Sequence, residues 1–141
     1  MSLPPKMLPD RWVRKAIYSS LITLGVNVYD TNTGTDSPSE FVLMTTQTNN
    51  QIMPNKCDSR WTSSILLDVI TRYPVSGNSG NRLPADIIAE NVLSLTTGLN
   101  LDPTSGLKIL KQSYSFPNDI STKTNTEIVY RKLIRIELEI E

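Results

Sequence analysis

The side chains available for chemistry in this chain are few: histidine is absent and Cys57 is the only cysteine in 141 residues. Ser-His-Asp and Cys-His nucleophiles, histidine bases and most zinc sites are thereby excluded. Paired carboxylates remain a formal route to hydrolysis. Asp30, Asp36 and Glu40 fall in or beside one turn-rich segment, while Asp58 and Asp68 flank or occupy a strand. A small hydrolase built on Asp30, Asp58 and Asp68 is one reading. No spacing puts two of them on one buried face, and solvated surface is the plainer account. Glu137, Glu139 and Glu141 alternate along an extended segment, roughly 7 Å apart; they suit either a hard cation or an acidic exposed edge. Ser76-Gly77-Asn78-Ser79-Gly80 lacks the lysine and the following helix start of a phosphate-binding loop, and reads as a connection. Cys57 lies in a polar stretch with no neighbour that would lower its pKa, so it reads as inert. No catalytic, cofactor-binding or metal-ligating residue is assigned, no cofactor is implied, and the expected protein is not an enzyme.

Bulk properties narrow the partners. Fourteen basic residues balance fourteen acidic ones, so no net field draws the chain to nucleic acid. Arg11, Arg14 and Lys15 form a small basic patch without an accompanying groove. A nucleic-acid adaptor is therefore disfavoured, and no sequence-specific nucleic acid is expected. Trp12 and Trp61 fall on apolar faces and read as core rather than base-stacking platforms. The longest apolar runs, such as Ile65-Leu66-Leu67, are too short to span a bilayer, so no membrane partner is expected. Residues 1–9 carry Pro4, Pro5 and Pro9 where a signal peptide needs an apolar helix. Apolar content of 38% and charged content of 20% fit one globular domain with a real core.

The elements that would position these residues follow from periodicity. Residues 1–9 read as an extended arm, and 10–141 as a single α+β domain. Asp10 has N-cap chemistry; Trp12, Val13, Ala16, Ile17, Leu21 and Leu24 follow at helical spacing, and Gly25 stops the run. Short strands are expected at 26–29 and 41–48. The second is apolar on both faces through Phe41-Val42-Leu43-Met44, then polar on both through Thr45-Thr46-Gln47-Thr48. Such a strand leaves the core, and residues 45–60 read as a projecting hairpin with its tip at Asn49–Asn50 or Pro54–Asn55. The return strand, 60–73, alternates Trp61, Ile65, Leu67, Val69 and Tyr73 with polar residues; Leu66 and Ile70 blur the pattern. Pro84 opens a second helix carrying Ala85, Ile88, Ala89, Val92 and Leu93, closed by Gly98. Strands at 107–116 and 128–140 finish the chain, with the polar segment 117–127 between them. In the last, Tyr130, Ile134, Ile136, Leu138 and Ile140 share one face and Arg131, Arg135, Glu137, Glu139 and Glu141 the other. The order is α-β-β-β-α-β-β: an antiparallel sheet with both helices on one face.

Two features favour assembly over catalysis. The 45–60 excursion is polar and β-prone; it is either an ordinary exposed hairpin or an arm lying on a neighbouring subunit. The last strand is basic at one end and acidic at the other. As an edge strand, it would either pair with the complementary end of another copy or use its charges to block such pairing.

This arrangement resembles the tail completion or tail terminator proteins of tailed bacteriophages. The resemblance runs from Arg11 to Ile140: a leading helix into Val28-Tyr29-Asp30, a proline-containing loop, the strand Phe41-Val42-Leu43-Met44, a polar excursion, the long strand around Ile65–Ile70, a glycine-bearing loop, an amphipathic helix at 85–95 and two closing strands. The 49–59 excursion is longer than that pattern and the 1–9 arm is additional; both also fit a head-to-tail connector or other adaptor ring. The resemblance implies a structural virion protein at the head–tail junction, assembled in the host cytoplasm. It implies a homo-oligomeric ring, six copies being the expected number, touching phage connector and tail tube proteins. Subunit contacts are then expected at Gln47, Asn50, Ile52, Met53, Lys56 and Asp58 in the arm, within 30–39, and at Arg131, Arg135, Glu137 and Glu139.

Overall fold

Val13, Ile17 and Leu21 recur every four residues, and burying that stripe makes the first helix, α1 (Asp10–Ser20). The computed structural model describes residues 8–30, 39–52, 60–74 and 82–141. The expected N-cap is displaced by one residue. Pro9 occupies the cap position, its carbonyl accepting from the Val13 N–H at 2.9 Å, and Asp10 lies inside the first turn. Its carboxylate is thereby near the positive end of the helix dipole. Gly25, at φ +90°, takes the left-handed turn after the helix that a Cβ would resist.

Six strands follow: β1 (Asn27–Asp30), β2 (Glu40–Ile52), β3 (Arg60–Pro74), β4 (Ile109–Ser115), β5 (Asp119–Lys123) and β6 (Glu127–Ile140). The second helix, α2 (Leu83–Thr96), separates β3 from β4 and carries Pro84 in its first turn, where the missing N–H costs nothing. A 3-10 turn at Pro103–Ser105 precedes β4. The sheet order is β1-β2-β3-β6-β4, with β5 also on β6. All pairings are antiparallel except β1 with β2, which is parallel. The α+β architecture is the expected one.

Three details differ from the sequence reading. The polar segment 117–127 contains β5, which pairs with Ile128–Lys132 of β6 while β4 pairs with Arg135–Ile140. β4 and β5 are thus one interrupted margin strand. Its second half is exposed at every residue, which hid it from hydrophobic periodicity. Second, β6 is not an edge strand; it lies between β3 and β4, so its charged side chains mark a sheet face and not a margin. Third, β1 pairs in parallel with β2, a short margin strand whose four residues are too few to show an alternation.

Register assigns the faces. Val42, Met44, Ile65, Leu67, Val69, Ile134, Ile136 and Leu138 lie on the face covered by α1 and α2 and are essentially inaccessible. Each such side chain contributes roughly 1.5–3 kcal/mol of transfer free energy. From α2 they meet Ala85, Ile88, Ala89 and Val92; from α1, Val13 and Ile17. The opposite face has no helix among the described residues.

Candidate assembly surface

The register of β2 on β3 slips between Met44 and Gln47, so Thr45 and Thr46 together oppose Leu66. This is a β-bulge. Thr45 Oγ1 donates to the Leu66 carbonyl at 3.1 Å. One extra residue reverses the alternation: Val42 and Met44 face the helices before it, Gln47 and Asn49 after it. The polar half of β2 therefore presents two amides to the N-terminus of α1. Arg14 Nε donates to Gln47 Oε1 at 2.7 Å, and Gln47 Nε2 donates to the Asp10 carbonyl at 3.1 Å. Asn49 Nδ2 donates to Asp10 Oδ1 at 2.5 Å, and its Oδ1 accepts from the Ser63 hydroxyl. Sequence pattern read Gln47 as a contact residue. Its amide is instead used inside the chain, fixing the base of the β2–β3 hairpin to α1. The hairpin is described to Ile52 paired with Arg60, and β6 accompanies β3 as far as Trp61. Met53, Lys56, Cys57 and Asp58 lie outside the described residues, as do 1–7, 31–38 and 75–81.

On the helix-free face, the hairpin end carries a polar surface. Thr48, Asn50, Thr62, Ser64, Glu137 and Glu139 stand side by side in register, with Lys111 and Ser113 of β4 beyond them. Thr46, Thr48, Thr62, Ser64, Leu66, Arg135 and Glu137 line an open trough of about 350 Å³. Arg135, Glu137 and Glu139 are all exposed, and none is in an ion pair with another described residue. Of the expected contact residues, the structure thus brings Asn50, Arg135, Glu137 and Glu139 onto one surface.

Farther along the same face the character changes. Asp68 is opposite Leu43 on one side and Leu133 on the other, with Leu66 and Ile70 before and after it on its own strand. Only 1% of it is exposed. Arg131 reaches it diagonally, Nε at 2.9 Å and Nη2 at 2.5 Å from Oδ2, while Oδ1 has no hydrogen-bond partner. The hydrogen bond to Asp68 pushes the Arg131 guanidinium pKa up, against the opposing effect of burial. Arg131 is therefore held by its own chain, unlike Arg135. The solvated-surface reading of Asp68 is corrected: Leu43, Leu66, Ile70 and Leu133 enclose it. Asp30 lies on the helix side of β1, in line with Met44 and Leu67, so it and Asp68 are on opposite faces and cannot act as a pair.

Three ion pairs, two at Lys132 and one at Lys15, tie the helix side together. Lys132 Nζ lies 3.3 Å from Asp86 of α2 and 3.4 Å from Asp119 of β5. Burial works against its charge, but the two carboxylates outweigh burial and raise its pKa. Lys15 Nζ is 2.6 Å from Asp102, whose carboxylate also accepts from Thr104 N–H at 3.0 Å. Those contacts, the Lys15 hydrogen bond foremost, hold Asp102 down at about 2. The described residues contain no group of three or more carboxylates and thiols placed to hold a metal, and no helix among them is long and apolar enough to cross a membrane.

No family model matches the chain, and no curated protein does. Among solved structures, a chain in the virion of a native gene transfer agent particle superposes with a TM-score of 0.60. The match covers 92% of this chain and 96% of that one at 15% sequence identity. At that identity the likeness is one of fold, extending over nearly the full length of both chains.

Proposed function

We propose that this protein is a structural subunit of a phage-like virion, not an enzyme, and that it is a tail terminator or tail completion subunit forming a ring at the head–tail junction. The observation that carries this reading is the near-complete fold likeness to a virion chain, 92% and 96% of the two lengths. The polar surface at the hairpin end supports it, because its Arg135, Glu137 and Glu139 have no ion-pair partner among the described residues and remain available to complementary charges of a neighbour. In this reading Asn50, Arg135, Glu137 and Glu139 contact a neighbouring subunit, together with Met53, Lys56 and Asp58. The ring has six copies and meets a connector on one side and tail tube on the other, within the virion.

Native mass measurement of the purified protein, followed by electron microscopy of any oligomer, tests this. A closed ring of six is expected. A strictly monomeric protein at high concentration, with no binding to tail tubes, would overturn the assignment.

A further inference from the structure

Among the described residues, neither margin of the sheet has a further strand beside it. β1 bonds only to β2 on one side, and β4 with β5 only to β6 on the other. Unpaired margins invite strand addition, which natural sheets suppress by shortening, bulging or charging the strand. β1 is short and β4 is bulged at Leu110, yet both margins also carry exposed apolar side chains. Of the eight large hydrophobics exposed among the described residues, Tyr18 and Ile22 flank β1, while Leu110, Phe116 and Ile120 belong to the opposite margin. An open groove of about 420 Å³ runs along β1, lined chiefly by Tyr18, Leu21, Ile22, Val26 and Val28.

We infer that the sheet continues from one copy to the next, β4 of one subunit adding to the free edge of β1 of its neighbour. This rests on the ring reading and names the surface that closes it. A contact between two different edges of one sheet is heterologous, so repeating it generates a ring when the rotation closes. Strand direction agrees. β1 and β2 run one way, β3 the other, β6 as β2, and β4 as β3. Copies related side by side therefore bring β4 antiparallel to β1, the more stable pairing.

Matching helix-side residues to helix-side residues fixes a register. Val28 and Asp30 face the helices on β1, as Gln112 and Tyr114 do on β4. Placing Asp30 opposite Gln112 sets Val28 opposite Tyr114, Asn27 opposite Ser115, and Val26 opposite Phe116. Phe116, 52% exposed in the single chain, then enters the groove lined by Tyr18, Ile22 and Val26. The bulge at Leu110, where the β4 register shifts, lies outside the paired stretch and leaves 112–115 regular.

The test uses the full chain with Cys57→Ser. Directly opposed residues of an antiparallel pair have Cα atoms about 4.5–5.5 Å apart, within disulfide reach. Asn27→Cys and Ser115→Cys chains, mixed under a mild oxidant, are expected to form a heterologous cross-linked pair that neither forms with Asn50→Cys chains. The double variant is expected to give a ladder of covalent oligomers ending at the ring. Phe116→Glu, at an exposed position, is expected to keep the circular dichroism spectrum and lower oligomer affinity at least tenfold. A ring that forms without the cross-link and tolerates Phe116→Glu overturns this interface while leaving the ring reading intact. A wild-type chain that never oligomerises overturns both.

Discussion

The two faces of the sheet are made by the same strands, yet they solve different problems. On the helix side, β3 and β6 present Ile65, Leu67, Val69, Ile134, Ile136 and Leu138 without a charged interruption until Lys132, and α1 and α2 seal them. On the free side, the same strands present Thr62, Ser64, Arg135, Glu137 and Glu139 at one end and the enclosed Asp68–Arg131 pair at the other. The difference shows which residues folding requires. Those six helix-side residues are all committed to the core. On the free side commitment is local: Arg131 has its carboxylate, whereas Arg135, four residues on along the same face, has none among the described residues.

The largest effect should come from neighbours of opposite commitment. Ile136 is fully buried and Glu137 beside it is exposed. Ile136→Ala is expected to cost about 2–5 kcal/mol through lost transfer free energy and the cavity left behind. Glu137→Ala is expected to stay within about 0.5 kcal/mol, as surface changes do. Urea titrations read both, and comparable losses at the two positions would dissolve the distinction between the faces. Oligomer affinity should respond in the opposite order, falling for Glu137→Ala in chains that remain fully folded.

Much of this contrast was readable from the amino-acid pattern. β6 alternates so cleanly that both of its faces were assigned residue by residue, because a period of two leaves no freedom once one face is apolar. The stripes of α1 and α2 and the left-handed glycines after them were equally legible. Other features were not. Asp68 falls on the side of the β3 alternation that also carries Arg60, Thr62, Ser64 and Arg72, and only the register of three strands shows that Leu43, Leu66, Ile70 and Leu133 surround it. The bulge at Thr45–Thr46 leaves no local signature, so Gln47 and Asn49 looked like free arm residues when they bind Asp10 and Arg14. β5 is exposed at every residue and so shows no apolar alternation, and the central place of β6 depends on its pairing with β3, far away in the chain. Assembly residues are the hardest case, since a polar side chain kept for a partner and one kept for water look alike.

The Asp68–Arg131 pair sharpens the comparison at intermediate size. It is a charged island in an apolar setting, on the face that otherwise stays polar. Asp68→Asn leaves Arg131 with a weaker acceptor. Because the Arg131 side chain is 40% exposed and can turn to water, the expected loss is moderated to about 1–3 kcal/mol. Replacing both, as Asp68→Leu with Arg131→Leu, adds apolar groups beside Leu43 and Leu133. That double variant is expected to lie within about 1 kcal/mol of wild type, since well-packed apolar residues often substitute for a buried ion pair without loss. Should the double variant be worse than the single one, the pair contributes more to this face than its apolar surroundings allow.

The smallest effect belongs to Lys15 and Asp102, which link α1 to the turn before β4 on the helix side but in contact with solvent. Water screens such a pair, so position on the helix side does not by itself make a contact strong. Its pH dependence is nevertheless definite in sign. Asp102 is held at about 2 in the folded chain against an ordinary value of 3.8. The folded state therefore binds this proton less readily than the unfolded one. The stabilisation is complete above about pH 4, falls as the pH drops, and is gone below about 2. Denaturation midpoints for wild type and Asp102→Asn should differ at pH 6 and converge as the pH is lowered through that window. A difference that stays constant from pH 6 to pH 2 would mean that Asp102 acts through the shape of its turn and not through its charge. In that case the Lys15 contact would add no titrating link between α1 and the turn before β4, and apolar packing and the Lys132 cluster would hold the helix side.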